Sequence, residues 1–157
     1  MVAGLCEAGV EFVVIGGLAA RAHGSVRITE DLDICYNPAP ENVQRLTARV
    51  RGWNAHLRGV DRGLPFIMDE RTFRDTPVMT LVTDQGAIDV MDRVLGVGDY
   101  ADVYAASVPV KSDQASFRAL SLAALLASKH ATGRPKDREQ LHELEALLEM
   151  KRGSRRR

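Results

Sequence analysis

Asp31 and Asp33 stand one residue apart in an alternating run, with Leu32 and Ile34 as their apolar counterparts. In an extended strand that spacing sends both carboxylates to one face and the two apolar residues to the other. Fifteen residues upstream of Asp31, the apolar run Glu11–Ile15 ends in Gly16-Gly17. A strand that stops at two glycines can bring an anion against bare backbone N–H groups where a helix begins. Paired carboxylates beside such a cradle suit a Mg²⁺–triphosphate site. Asp89 is the third candidate ligand, because Ile88 and Val90 face away from it and leave a carboxylate framed by apolar residues. Burying such a charge alone is costly, and a divalent ion shared with Asp31 and Asp33 would offset it with hard oxygen ligands. Asp92 is out of phase with Asp89 and receives no role.

The elements that must position these groups follow from periodicity and punctuation. Residues 1–9 end a helix at Gly9, 11–15 form a buried strand, 18–23 a short helix closed by Gly24, and 30–35 a strand. Val43, Leu46 and Val50 give a helix over 41–50, opened near Pro40. Trp53–Leu57 and Pro65–Met68 read as strands around a loop at 58–65. Val78–Thr83 and Ala87–Met91 make a hairpin across Asp84-Gln85-Gly86. A small helix ends near Ala106, and a strand follows at Val108–Val110. Ser121 caps a helix over 122–131, Gly133 and Pro135 break it, and Asp137 caps a last helix to Met150. The expected fold class is therefore α/β, with a mixed sheet from 11–15, 30–35 and 78–91. Helices pack on that sheet, the two C-terminal ones against the carboxylate face.

Composition narrows the function classes. The 157 residues, 45% of them hydrophobic, suit a single domain over 1–150, with 151–157 as a basic disordered tail. Twenty-one basic residues balance 21 acidic ones, so no global field recruits nucleic acid or a membrane. Cys6 and Cys35 are too few for a disulfide scaffold or a thiolate zinc site, and Cys35 reads as a buried thiol. Without a long apolar run or a signal-like N-terminus, the expectation is a cytoplasmic protein. The short chain and abrupt first helix leave apolar surface for a homodimer contact or an antitoxin-like partner.

The ordered set Gly16-Gly17, His23-Gly24, Arg27-x-Thr29, Asp31-x-Asp33 and Gly86-x-Ile88-Asp89, followed by Lys129 and Gly133 to Asp137, resembles the DNA polymerase β-like nucleotidyltransferases. It is most similar to the small bacterial AbiEii and MNT toxin-like enzymes and the antibiotic nucleotidyltransferases. The resemblance implies two Mg²⁺ ions held by Asp31, Asp33 and Asp89, an NTP co-substrate and Asp89 as candidate base. It implies nucleotide contacts from Gly16, Gly17, Arg27, Thr29 and Lys129. Arg134 and Lys136 reach either the triphosphate or an acidic acceptor. Arg27 either neutralises triphosphate or pairs with the aspartates, Lys129 is otherwise a solvated lysine, and His23 is expected to serve structure. Many relatives carry Ser after the Gly-Gly, where this chain has Leu18, which leaves phosphate binding to backbone N–H groups and cations. The implied activity moves a nucleoside monophosphate to a small hydroxylated molecule, a tRNA or a protein. The rival reading is a catalytically idle nucleotide-binding module.

Overall fold

The computed structural model of the chain describes residues 1–61, 66–133 and 138–154. After helix α1 (Val2–Glu7), strand β1 (Phe12–Ile15) runs directly into α2 (Gly16–Ala22), so the two glycines are the first helical turn. Strand β2 (Asp31–Tyr36) leads to α3 (Pro40–Gly52), which opens with Pro40 at its first position and buries Val43, Leu46 and Val50, the stripe its spacing predicts. Then come β3 (His56–Leu57), α4 (Glu70–Asp75) and the hairpin β4 (Val78–Thr83) and β5 (Gly86–Met91). A small ribbon of β6 (Arg93–Val94) and β7 (Gly98–Asp99) precedes α5 (Tyr100–Ala105). The chain closes with β8 (Ser107–Lys111), β9 (Ser116–Leu120), α6 (Leu122–Thr132) and α7 (Arg138–Ser154).

Seven strands form one mixed sheet in the order β3-β4-β5-β2-β1-β9-β8. Strand β2 is central, antiparallel to β1 and parallel to β5. Such a strand must be apolar on its packed face, and Leu32 and Ile34 are buried at 3% and 0% exposure beside Ile88 and Val90 at 0% and 1%. All four residues of β1 are buried as well, which explains its unbroken apolar run. The α/β class, the mixed sheet and the two C-terminal helices are as the sequence indicates. Ser121 caps α6 by accepting from the Ala124 N–H, and Gly133 ends it in the left-handed conformation at φ 60°. Helices α6 and α7 pack on each other, and α6 also packs on α2, next to the carboxylate strand.

Several expectations are corrected. The strand expected at 53–57 is only His56–Leu57, because Trp53 and Asn54 turn the chain, Asn54 at a positive φ of 53°. Phe66–Met68 carries no strand, and Pro65 lies outside the described residues. Helix α4 follows instead, capped by Asp69, which accepts from the Thr72 N–H. Strand β9, which has no counterpart in the sequence reading, pairs parallel with β1 and extends the sheet to β8. Its Arg118 sits in the strand because Ser107 accepts from the guanidinium at 2.6 and 2.7 Å and the Tyr104 ring lies 4.4 Å away. Helix α7 continues past Met150 to Ser154, so the first residues of the basic tail are helical, while 155–157 fall outside the described residues. No described helix is long and apolar enough to cross a membrane.

Candidate active site

Strand pairing brings the three carboxylates together. In the β2–β5 register Asp33 lies opposite Asp89, and Asp31 lies opposite Ala87, two residues earlier on the face it shares with Asp33. On the other side of β2, Asp33 lies opposite Ile15, the residue before the Gly-Gly pair. The carboxylate therefore packs directly against the start of α2. A Cβ at Gly16 would lie 2.0 Å from Asp33 Oδ2, and Gly16 itself has φ +59°. A Cβ at Gly17 would lie 2.7 Å from Thr29 Oγ1, while the Gly17 N–H donates to the Asp33 carboxylate. Both glycines are thus required by close approach, and the first anion they cradle is the protein's own.

Crowding shows in the acidity of Asp33. Its carboxyl is pushed up from 3.8 to about 6, first by burial, then by the charges of Asp89 and Asp31. The Gly17 N–H and the ammonium of Lys129 pull the other way. Lys129, half-buried on the last turn of α6, thus acts on the carboxylate group as the packing of the C-terminal helices suggests.

Sequence reasoning missed Arg58, which it placed in a loop. The guanidinium Nη1 lies 3.2 Å from Asp31 Oδ2, and Nη2 donates to Asp89 Oδ1 at 2.9 Å. Arg58 follows the two residues of β3, and its own N–H donates to the Thr80 carbonyl of β4 at 3.0 Å. Thr80 lies opposite Asp89, which lies opposite Asp33, so Arg58 stands in the same lateral row of the sheet. Only the register of the short β3 strand could have revealed this. Among the described residues no three His, Cys, Asp or Glu side chains close a metal-holding group, and a guanidinium stands between two of the carboxylates. The donor types suit a divalent cation: three hard carboxylates share one face of neighbouring strands, and one of them, Asp33, has its acidity suppressed by burial and then by the charges of Asp89 and Asp31, which an added positive charge would relieve.

The remaining candidates separate. Residues 25–30 are irregular, and β2 begins only at Asp31, so the alternation expected from Arg27 onward starts late. Arg27 Nε donates to Glu143 Oε2 of α7 at 3.2 Å, a partner the sequence did not suggest. Glu143 also accepts from the Val26 N–H at 3.1 Å and from the Ser25 hydroxyl, and these donors hold its carboxyl below the usual range. Thr29 donates its hydroxyl to the Asp31 carbonyl at 3.2 Å, at the entrance to β2. His23 joins α2 to the end of β9 through Nε2 and the Leu120 carbonyl at 2.8 Å, the structural role expected of it. Its pKa is lowered by burial, opposed by the Leu120 contact. Leu18 packs on the core, and Cys35 is fully buried with its thiol pushed up to about 12. Arg134, Lys136 and Asp137 lie outside the described residues. A cavity of about 540 Å³ opens at the other end of β1, lined by Val10, Phe12, Tyr100, Tyr104, Phe117 and Arg118 among others. It contains none of the three aspartates.

No family model and no curated protein matches the sequence. Among solved structures the chain is similar to a Thermotoga maritima protein, itself only provisionally assigned as a nucleotidyltransferase. The two are 18% identical over 85% of this chain and 81% of that one, with a TM-score of 0.53. At that identity the likeness is one of fold, and the chain has the fold of that nucleotidyltransferase-like structure.

Proposed function

We propose that this protein transfers a nucleoside monophosphate from an NTP to a hydroxyl of an acceptor, releasing pyrophosphate. The observation that carries the reading is the β2–β5 register, which sets Asp33 opposite Asp89 with Asp31 on the same face, beside the Gly16–Gly17 turn. The fold neighbour's provisional assignment agrees with it. Asp31, Asp33 and Asp89 would hold two Mg²⁺ ions, which when bound polarise the acceptor hydroxyl and offset charge on the α-phosphate and the departing pyrophosphate.

The chain's own residues divide the remaining work. The acceptor oxygen bonds to the α-phosphorus, the bond from that phosphorus to the bridging oxygen breaks, and Asp89 accepts the hydroxyl proton. Asp33, buried and close to the charges of Asp89 and Asp31, is a ligand whose charge a cation would offset. Lys129, whose charge already reaches Asp33, would face the phosphates together with Arg27, Thr29 and the glycine backbone, and the sequence offers Arg134 and Lys136 as further cations for them. With Leu18 in place of a hydroxyl residue, phosphate contacts fall to N–H groups and cations.

A small hydroxylated acceptor stands ahead of tRNA or a protein target, because the balanced charge of 21 against 21 offers no broad phosphate-binding footprint. The AbiEii-like, toxin-like reading rests on resemblance alone. The test incubates α-labelled NTPs and Mg²⁺ with the protein and cell extract, then separates RNA, protein and small molecules. Label should enter one fraction with wild type and be lost with Asp89→Asn, whose melting curve should remain cooperative. Equal transfer by Asp89→Asn would overturn the three-carboxylate reading, and nucleotide binding without transfer would establish the idle module.

A further inference from the structure

We infer that Arg58 is a built-in counter-cation that keeps divalent metal out of the carboxylate site until a triphosphate draws it away. The inference rests on the metal-binding reading of Asp31, Asp33 and Asp89 and adds a condition on when the metal enters. Arg58 contacts Asp31 and Asp89 through different guanidinium nitrogens, at 3.2 and 2.9 Å. Those are two of the three carboxylates a divalent ion needs, and like charges cannot share them at contact distance.

The anchoring of Arg58 gives the competition its geometry. Its backbone is pinned to Thr80, and two strand spacings of about 4.8 Å separate its strand from β5. The Arg58 side chain, the 2.9 Å contact and the Asp89 side chain together bridge a backbone separation of about 10 Å along the row. It starts from β3, the edge strand of the sheet, so retreat requires side-chain rotation alone. The side chains of Arg58 and Asp31 are 36% and 42% exposed, and ion pairs so close to water are readily exchanged. A triphosphate supplies the exchange partner, because its oxygens match the planar fork of the guanidinium. Metal and triphosphate then favour each other's binding: the triphosphate takes Arg58, and the metal takes the carboxylates it leaves.

The experiment titrates the full chain and Arg58→Met with two separate probes. Mn²⁺ alone is followed by electron paramagnetic resonance, and inorganic tripolyphosphate in EDTA by calorimetry. Arg58→Met should bind Mn²⁺ about tenfold tighter than wild type and bind tripolyphosphate several-fold more weakly, changes of the size that coupled sites display. A residue that only braces the fold would move both affinities the same way. Arg58→Lys, which keeps the charge and loses the fork, should fall between wild type and Arg58→Met on both probes. It also serves as the test variant should Arg58→Met fail to fold. Equal Mn²⁺ affinity in wild type and the variants overturns the inference and leaves the metal site standing. Absence of Mn²⁺ binding in every protein, with tripolyphosphate present or not, overturns the metal reading and this inference with it.

Discussion

Asp33→Asn tests the electrostatics of the site without any assumption about substrate. The Asp33 carboxyl is pushed from 3.8 to about 6, chiefly by burial and then by Asp89 and Asp31. Because the folded value lies above the unfolded one, folding favours the protonated form. The group's contribution to stability is therefore fully present below pH 3.8 and is lost as pH rises through about 6. The gap between those two values corresponds to about 3 kcal/mol, about half of which is lost by pH 5. Asparagine keeps the shape and can still accept the Gly17 N–H, yet it carries no charge to repel Asp31 and Asp89. In EDTA at pH 8, Asp33→Asn should be more stable than wild type by up to about 3 kcal/mol, or about 6–12 °C in melting temperature for a chain of this size.

The assay is urea unfolding of both proteins from pH 4.5 to 8 in EDTA, repeated with Mg²⁺. The quantity of interest is the difference between the two proteins, since it cancels the titrating groups that are not coupled to Asp33 and leaves Asp33 with its neighbours Asp31 and Asp89. That difference should grow with pH and level off above about pH 7. Mg²⁺ at concentrations high enough to displace Arg58 from Asp31 and Asp89 should shrink it by stabilising the wild type, because the ion adds positive charge beside Asp33. If the variant is no more stable than wild type at pH 8, or the difference ignores pH, Asp33 is not under the strain described and the crowding argument fails.

Two further substitutions probe the supports of the site. Gly16→Ala places a Cβ 2.0 Å from Asp33 Oδ2 at a residue with φ +59°, and should cost about 2 kcal/mol or more in urea unfolding, with loss of Mn²⁺ binding as Asp33 is displaced. Glu143→Ala removes the acceptor for Ser25, Val26 and Arg27, and should cost about 1 kcal/mol while hydrogen exchange at the Val26 amide speeds up ahead of the sheet amides.

What could be read from the sequence divides along physical lines. Asp31, Asp33 and Asp89 were legible because each lies in a strand long enough to show alternation, and period 2 assigns a face without reference to any partner. Ser121, Gly133 and the α3 stripe were legible because caps and helical spacing are local signals. Arg58 was hidden because β3 has only two residues, too few to show a period, and its partners lie two and three strands away. Strand β9 was hidden by Arg118, whose charge suggests a surface until the contacts with Ser107 and Tyr104 are seen. The link from Arg27 to Glu143 spans 116 residues, and no local pattern encodes it.

The Gly-Gly pair is the instructive case, because its sequence reading was right in place and incomplete in cause. A strand that ends in two glycines before a helix suggests backbone N–H groups bared for phosphate. Here the space left by Gly16 is filled by Asp33 and that left by Gly17 by Thr29, with the Gly17 N–H already given to Asp33. The same two glycines would therefore be demanded by the folded chain even if no nucleotide ever bound. They also let a carboxylate sit against a helix start, where it is buried and crowded by two others. Arg58 holds the two neighbouring carboxylates, Asp31 and Asp89, but makes no such bridge to Asp33 among the described ion pairs. Asp33 is offset instead by the Gly17 N–H and the Lys129 charge, and under the proposed function a metal-bearing triphosphate would add a cation there and give Arg58 a new partner.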